Sequence, residues 1–234
     1  MTAMTMPAGW RAVVVLTAAL IAIPMPAGAD DAMDARQLVE RARLSFESAI
    51  VTPEMDPLRD LIQRARGVFI APQILRAAFI VGMAGGSGLL VARGEGGEWG
   101  GPAFYTIGEL SVGAQAGGDA SEVFLLAMTE RGVSAMLGTS VRLGGDISAA
   151  VGPVGVGVRM ATANLSVDIV SFSRAKGLYG GMSVDGSVVA TRGALNAAHF
   201  GQPVTPADIL IRRTVSNPLS ASLIELIRKA AEPK

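Results

Sequence analysis

The 234-residue sequence is half apolar, carries twenty cationic and twenty anionic side chains, and contains no cysteine. The missing cysteine excludes disulfides, thiolate chemistry and cysteine-held metals. The even charge balance argues against a domain built around a strongly basic nucleic-acid face, and against purely electrostatic capture by anionic membranes.

Residues 1–29 have the form of a secretion signal. Arg11 supplies the positive start, Ala12 to Met25 is apolar, and Pro24 and Pro26 break the run before Ala27-Gly28-Ala29, which suits signal peptidase. The apolar run is shorter than the roughly 20 residues of a spanning helix, and no lipobox cysteine follows it. A periplasmic or secreted protein is expected, with residues 30–234 as one domain. Every glycine after Gly28 lies between Gly67 and Gly201. The domain therefore reads as a glycine-rich β core, 67–201, between helical flanks, 34–65 and 205–231.

In the first flank, Leu38, Val39, Ala42 and Phe46 recur at helical spacing across Asp34 to Ile50. Thr52-Pro53 interrupts, and Asp56-Pro57 opens a second helix as N-cap and first-turn proline. Its stripe is Leu58, Leu61, Ile62 and Ala65, and Gly67 stops it. Strands are then predicted at Val68–Ala71, Ala78–Met83, Leu89–Arg93, Ala103–Val112 and Val123–Met128. Others follow at Leu165–Ser173 and Ser187–Thr191, with period-two alternation over Val141–Val151 and Val154–Ala161. Glu95-Gly96-Gly97 and Asp185-Gly186 supply turns, and Thr129–Leu137 is the helix expected within the core. Thr205-Pro206-Ala207-Asp208 starts a short helix, and Pro218 to Ala231 is amphipathic.

The fold class is α+β: a glycine-rich, mostly antiparallel β core, barrel-like or of packed sheets, flanked by amphipathic helices. Glycine weakens strands, so its density marks tight curvature or a smooth groove that admits an acyl chain or another backbone.

Catalytic signals are missing. His199 is the single histidine, which excludes multi-histidine metal sites. No nucleophile elbow is present, since Gly85-Gly86-Ser87-Gly88 fails at Leu89. Neither a P-loop nor a dinucleotide fingerprint occurs, and no cofactor is expected. Asp119, Asp146, Asp168 and Asp185 are far apart in sequence and have Arg142, Arg159 and Arg174 as ordinary partners. The candidate binding residues are Arg174 and Lys176, on one side of an extended segment, with Leu178 and Tyr179 beside them. Cations next to an apolar and aromatic tip suit a phosphate headgroup and its acyl region. A solvated turn is the plain alternative.

The order of motifs is distinctive. Ala65-Arg66-Gly67-Val68-Phe69-Ile70-Ala71-Pro72 precedes Phe79 to Arg93 and Trp99-Gly100-Gly101-Pro102-Ala103-Phe104-Tyr105. Gly113-Ala114-Gln115-Ala116-Gly117, Leu143-Gly144-Gly145-Asp146, Gly152-Pro153-Val154-Gly155, Asp168 to Leu178 and Asn196 to Gly201 follow. This series resembles the SYLF domain family over roughly Leu58 to Leu210. The resemblance implies binding of phospholipid or a membrane surface without catalysis, as eukaryotic members bind phosphoinositide membranes and associate with actin. The region matching their basic N-terminal segment, Asp30 to Ile50, starts acidic and offers only Arg36, Arg41 and Arg43. Actin is not an expected partner of an exported protein. The alternative is an envelope scaffold that contacts another protein and has no lipid affinity. Under the lipid reading, Asp34 to Ile50 is the part expected to move or insert.

Overall fold

The computed structural model describes residues 29–94, 96–153, 167–175, 178–180 and 184–232. The secretion segment up to Gly28, the alternation at Val154–Ala161 and Lys176 lie outside the described residues.

Helix α1, Ala29–Val51, is longer than the spacing predicts, and its apolar stripe is buried throughout. A 3-10 turn, Pro53–Met55, leads into α2, Asp56–Ile62. Asp56 sits inside the first turn of α2 and pairs with Arg59, so the expected N-cap role is not the one it fills. Arg59 also donates to the Ile50 and Thr52 carbonyls, which locks the end of α1 to α2.

The separate strands predicted between Val68 and Met128 are two long ones. Strand β1, Gly67–Arg93, and β2, Trp99–Ala127, form one antiparallel ladder from Gly67↔Ala127 to Arg93↔Trp99. Pro72 is absorbed by a register shift at Ala71/Ile74, further shifts fall at Phe79/Ile80 and Leu90/Ala92, and Gly82, Gly85, Gly86 and Gly88 pair within the ladder. Proline has no N–H for a ladder and is tolerated at such a bulge. The ladder curls so far that β1 meets itself: the Arg93 N–H donates to the Arg66 carbonyl at 2.7 Å. Glycine makes the approach possible. A Cβ on Gly86 would stand 2.1 Å from the Gln73 carbonyl oxygen, and one on Gly88 would stand 2.4 Å from the Phe69 ring. Tight curvature therefore accounts for glycine at these two positions.

Helix α3, Glu130–Ala135, is N-capped by Thr129, whose hydroxyl accepts from the Gly132 N–H at 3.0 Å. The alternating run Val141–Val151 is not one strand. It splits into β3, Ser140–Arg142, and β4, Ala149–Val151. The break is a turn at Gly144, whose φ of 77° favours glycine, closed by the Asp146 carboxylate accepting from the Arg142 N–H. Strands β5, Ile169–Ala175, β6, Leu178–Gly180, and β7, Val188–Thr191, complete a curled sheet that is antiparallel except for β4 with β5. Strand β2 carries β7 on its first half and β5 on its second.

Helix α4, Gly193–Phe200, had no counterpart among the predicted elements. It ends at Gly201 with φ 73°, a left-handed stop. A π-helical turn, Asp208–Arg212, follows, opened by reciprocal hydrogen bonds between Thr205 and Asp208. A 3-10 turn, Pro218–Ser220, leads into α5, Ala221–Ala230.

Both faces of the sheet are covered. Val68, Ile70, Leu89, Val91, Phe104, Phe124, Val170 and Phe172 face a core shared with α1, α2, α4 and α5. Their neighbours Phe69, Leu90, Tyr105, Val123, Leu125 and Ile169 face a second core with Val141, Leu143, Val189, Ile209 and Leu210. Successive strand side chains point to opposite faces, so a sheet buried on both sides needs unbroken apolar runs. Val123-Phe124-Leu125-Leu126 is such a run.

Candidate functional site

Arg174 stands on β5 opposite Glu122 of β2 in the ladder. Its Nη2 donates to Glu122 Oε1 at 2.6 Å and lies 2.5 Å from Oε2, while Nη1 donates to Ser48 Oγ of α1 at 2.8 Å. The strongest sequence candidate is thus a partly buried, paired arginine that joins the sheet to the first helix. Leu178 and Tyr179 lie on β6, beside it in register: Tyr179 is opposite Arg174 and Leu178 opposite Ala175.

Arg174 also borders a cleft of about 610 Å³ between α1 and the sheet. Its walls include Arg41 and Ser45, one turn apart on α1, with Gln73, Ser121 and Glu122 across from them. Arg41 is exposed, and no hydrogen bond or ion pair engages it among the described residues. Ser45 is 5% exposed, and its buried hydroxyl has no hydrogen-bond partner among the described residues. An unmet buried hydroxyl costs about 1–3 kcal/mol, so a ligand oxygen reaching it would recover stabilisation. A smaller lobe of about 140 Å³ continues past Arg41, Pro72 and Gln73 to Leu38, Leu75 and the backbone of Gly85 and Gly86. The cleft thus joins a polar mouth holding two guanidinium groups to a small lobe of mixed lining, in which Leu38, Pro72 and Leu75 stand beside Gln73, Ser87 and two glycines. Of the residues expected from the sequence, Arg174 borders this cleft; Arg41 and Ser45, which border it too, were not among them. Their i, i+4 spacing on the polar side of the predicted helix was the available signal.

The apolar face of α1 is committed elsewhere. Phe46 packs on Phe124 with ring centroids 6.4 Å apart, and Leu38, Val39, Ala42 and Phe46 are all buried in the core. Insertion of this helix into a bilayer would require stripping that core. Among the described residues, no helix is long and apolar enough to cross a membrane, which says nothing of strands.

Asp168 and His199 have structural roles. Asp168 is 4% exposed and accepts from Thr129 Oγ1 at 2.7 Å, Ser148 Oγ at 2.8 Å and the Ser148 N–H at 3.2 Å. The bond from Thr129 foremost, with those from Ser148, holds its carboxyl below the usual range. This carboxylate pins the end of β2 to the residue before β4. His199 is buried between Phe104 and Phe200, with Nε2 2.9 Å from Ser220 Oγ, and burial pushes its pKa down to about 4. The imidazole is neutral and clamps α4 to the C-terminal segment. Among the described residues, no cluster of three or more histidine or acidic side chains could hold a metal.

The family described as "Ysc84: Las17-binding protein actin regulator" matches residues 108–230, just over half of the chain. The chain belongs to the Ysc84/SYLF domain family. This Ysc84/SYLF chain is 30% identical over 174 residues to the human SH3 domain-containing YSC84-like protein 1, covering 74% of this chain and 51% of that one. An SH3 domain-containing protein of Schizosaccharomyces pombe is 32% identical over 187 residues, covering 74% and 43%. Protein YSC84 of Saccharomyces cerevisiae is 29% identical over 177 residues, covering 73% and 37%. The chain spans about half or less of the length of these curated relatives. The family description names an actin regulator, so the exclusion of actin made from the sequence has no support in these matches.

Proposed function

We propose that this Ysc84/SYLF domain is an exported, non-enzymatic binding module that takes an anionic lipid in the cleft beneath α1. The observation that carries the reading is the buried hydroxyl of Ser45, unpartnered among the described residues, in a cleft that also holds Arg41 and Arg174. A phosphate oxygen would accept from Ser45 Oγ and from the guanidinium of Arg41, with Arg174 adding positive charge nearby. The chain would run along the lobe at Leu38 and Leu75, where each buried methylene contributes about 0.8 kcal/mol. In this reading α1 is a fixed wall of the cleft and does not insert. Glu122 balances Arg174, which limits affinity for anions and fits the near-neutral composition. Export rests on the form of residues 1–29.

Vesicle flotation tests the reading, using phosphatidylcholine alone or with phosphatidylserine. Arg41→Glu should abolish binding to the anionic vesicles, and Glu122→Gln should strengthen it. Equal flotation of both variants and the parent protein would reject the cleft.

A second reading is favoured by the family's description as Las17-binding and actin-regulating. Here the domain is a protein-interaction module, and an exposed face engages a partner filament or scaffold. Co-sedimentation with purified actin filaments, in the absence of lipid, distinguishes it: pelleting supports this reading and none removes it.

A further inference from the structure

A second cavity, of about 530 Å³, shares no lining residue with the cleft beneath α1. It lies where the β1–β2 turn meets α3 and the π-helical turn. Three arginines border it: Arg66, Arg93 and Arg213. Arg93 is held by the carbonyls of Gly97 at 3.2 Å and Gln63 at 3.3 Å, so its position is fixed without a carboxylate. Among the described residues, Arg66 makes one ion pair, a loose one with Glu130 at 3.8 Å.

Arg213 is the unusual member. Its φ of 54° lies in the left-handed region, which costs a non-glycine residue about 1–3 kcal/mol and persists where surroundings enforce it. It caps a π-helical turn, a form that recurs at functional sites. The guanidinium lies in a slot made by two glycines: a Cβ on Gly94 would stand 2.4 Å from Nη2, and one on Gly100 would stand 2.9 Å from Nε. Nη1 and Nη2 donate to the side chain and carbonyl of Glu98, whereas the buried Nε has no partner among the described residues. The Glu98 side chain is more than half exposed, so its carboxylate sits at the solvent side of the slot. Leu137 and the exposed Ile211 add apolar lining to the same cavity.

We propose that this cavity is a binding site for an oxyanion, carboxylate or phosphate, carried on a short apolar body. The oxyanion accepts from Arg213 and Arg66, taking the place of the Glu98 carboxylate. The apolar body lies against Leu137 and Ile211. Glu98 is then an internal competitor that keeps the site closed to weak ligands.

The test is calorimetric titration of the full chain with phenyl phosphate and with benzoate, which share a ring and differ in the oxyanion. The stronger of the two names the oxyanion, and inorganic phosphate should bind more weakly than phenyl phosphate if the apolar lining contributes. Glu98→Gln should tighten binding at least about tenfold, the scale of one charge-assisted hydrogen bond. Arg213→Gly removes the guanidinium while relieving the left-handed backbone, so it should abolish binding with an unchanged or raised melting temperature. Arg41→Glu, in the other cleft, should leave these affinities as they are, separating this site from the lipid reading. The proposal is overturned if neither ring compound binds the Glu98→Gln protein, or if Arg213→Gly binds as well as the parent.

Discussion

Replacing Phe46 by alanine asks whether α1 is a structural wall or a detachable membrane anchor. The ring is fully buried and packs against Phe124 of β2. Removing it leaves a void between helix and sheet, at a cost of about 3–5 kcal/mol. A domain of this kind has a net stability of about 5–15 kcal/mol, so a large share of it would go. With a urea dependence of about 2 kcal/mol per molar, the unfolding midpoint should fall by about 2 M. Leu44, half-exposed on the same helix, is the control, because Leu44→Ala should stay within about 0.5 kcal/mol of the parent. Equilibrium urea unfolding followed by circular dichroism reads both variants. A midpoint shift below about 0.5 M for Phe46→Ala, or about 1 kcal/mol, would show that α1 is not part of the core and is free to leave it.

Two further expectations follow from the sheet and the histidine. Gly86→Ala drives a methyl group into the Gln73 carbonyl and should cost about 1–3 kcal/mol. Gly193→Ala, with nothing within 4 Å, should be neutral or stabilise by about 0.4–1 kcal/mol; thermal melting of the pair checks both, and equal losses would contradict the curled ladder. The neutral His199 has a folded pKa of about 4, below its unfolded value of 6.5. The unfolded chain therefore binds a proton that the folded one refuses. The stabilisation is complete above pH 6.5, declines as pH falls, and is exhausted below about pH 4, by about 3 kcal/mol in all. His199→Gln should lose this part of the pH dependence in urea titrations at pH 7 and pH 5, and an unchanged slope would show the ring is accessible to protons when folded.

The helices at the ends were legible because one face of each is apolar at a spacing that only a helix brings together. Leu38, Val39, Ala42 and Phe46 in α1, and Leu223 and Ile227 in α5, are buried as that spacing requires. Helix α4 escaped because its role is set by polar contacts. Asn196 accepts from the Phe104 N–H at 2.8 Å, and His199 meets Ser220, contacts that a hydrophobic period does not encode. The strands were found in pieces, since glycine and proline read locally as breaks. Only the closure of β1 on itself shows that Gly86 and Gly88 make room for another part of the same strand. The split of Val141–Val151 had a local cue in Gly144-Gly145-Asp146, outweighed by the alternation around it. For the candidate site, Arg174 was visible as a cation in an extended segment. Arg41 and Ser45 were not linked to it, because α1 reaches β5 only through the tertiary fold.

The most direct test of the lipid reading is native mass spectrometry of the protein purified from the compartment where it accumulates. The account predicts co-purified anionic phospholipid on the parent protein, its loss in Arg41→Glu, and its retention in Arg213→Gly. A protein that carries no lipid and takes none up from anionic vesicles would contradict it.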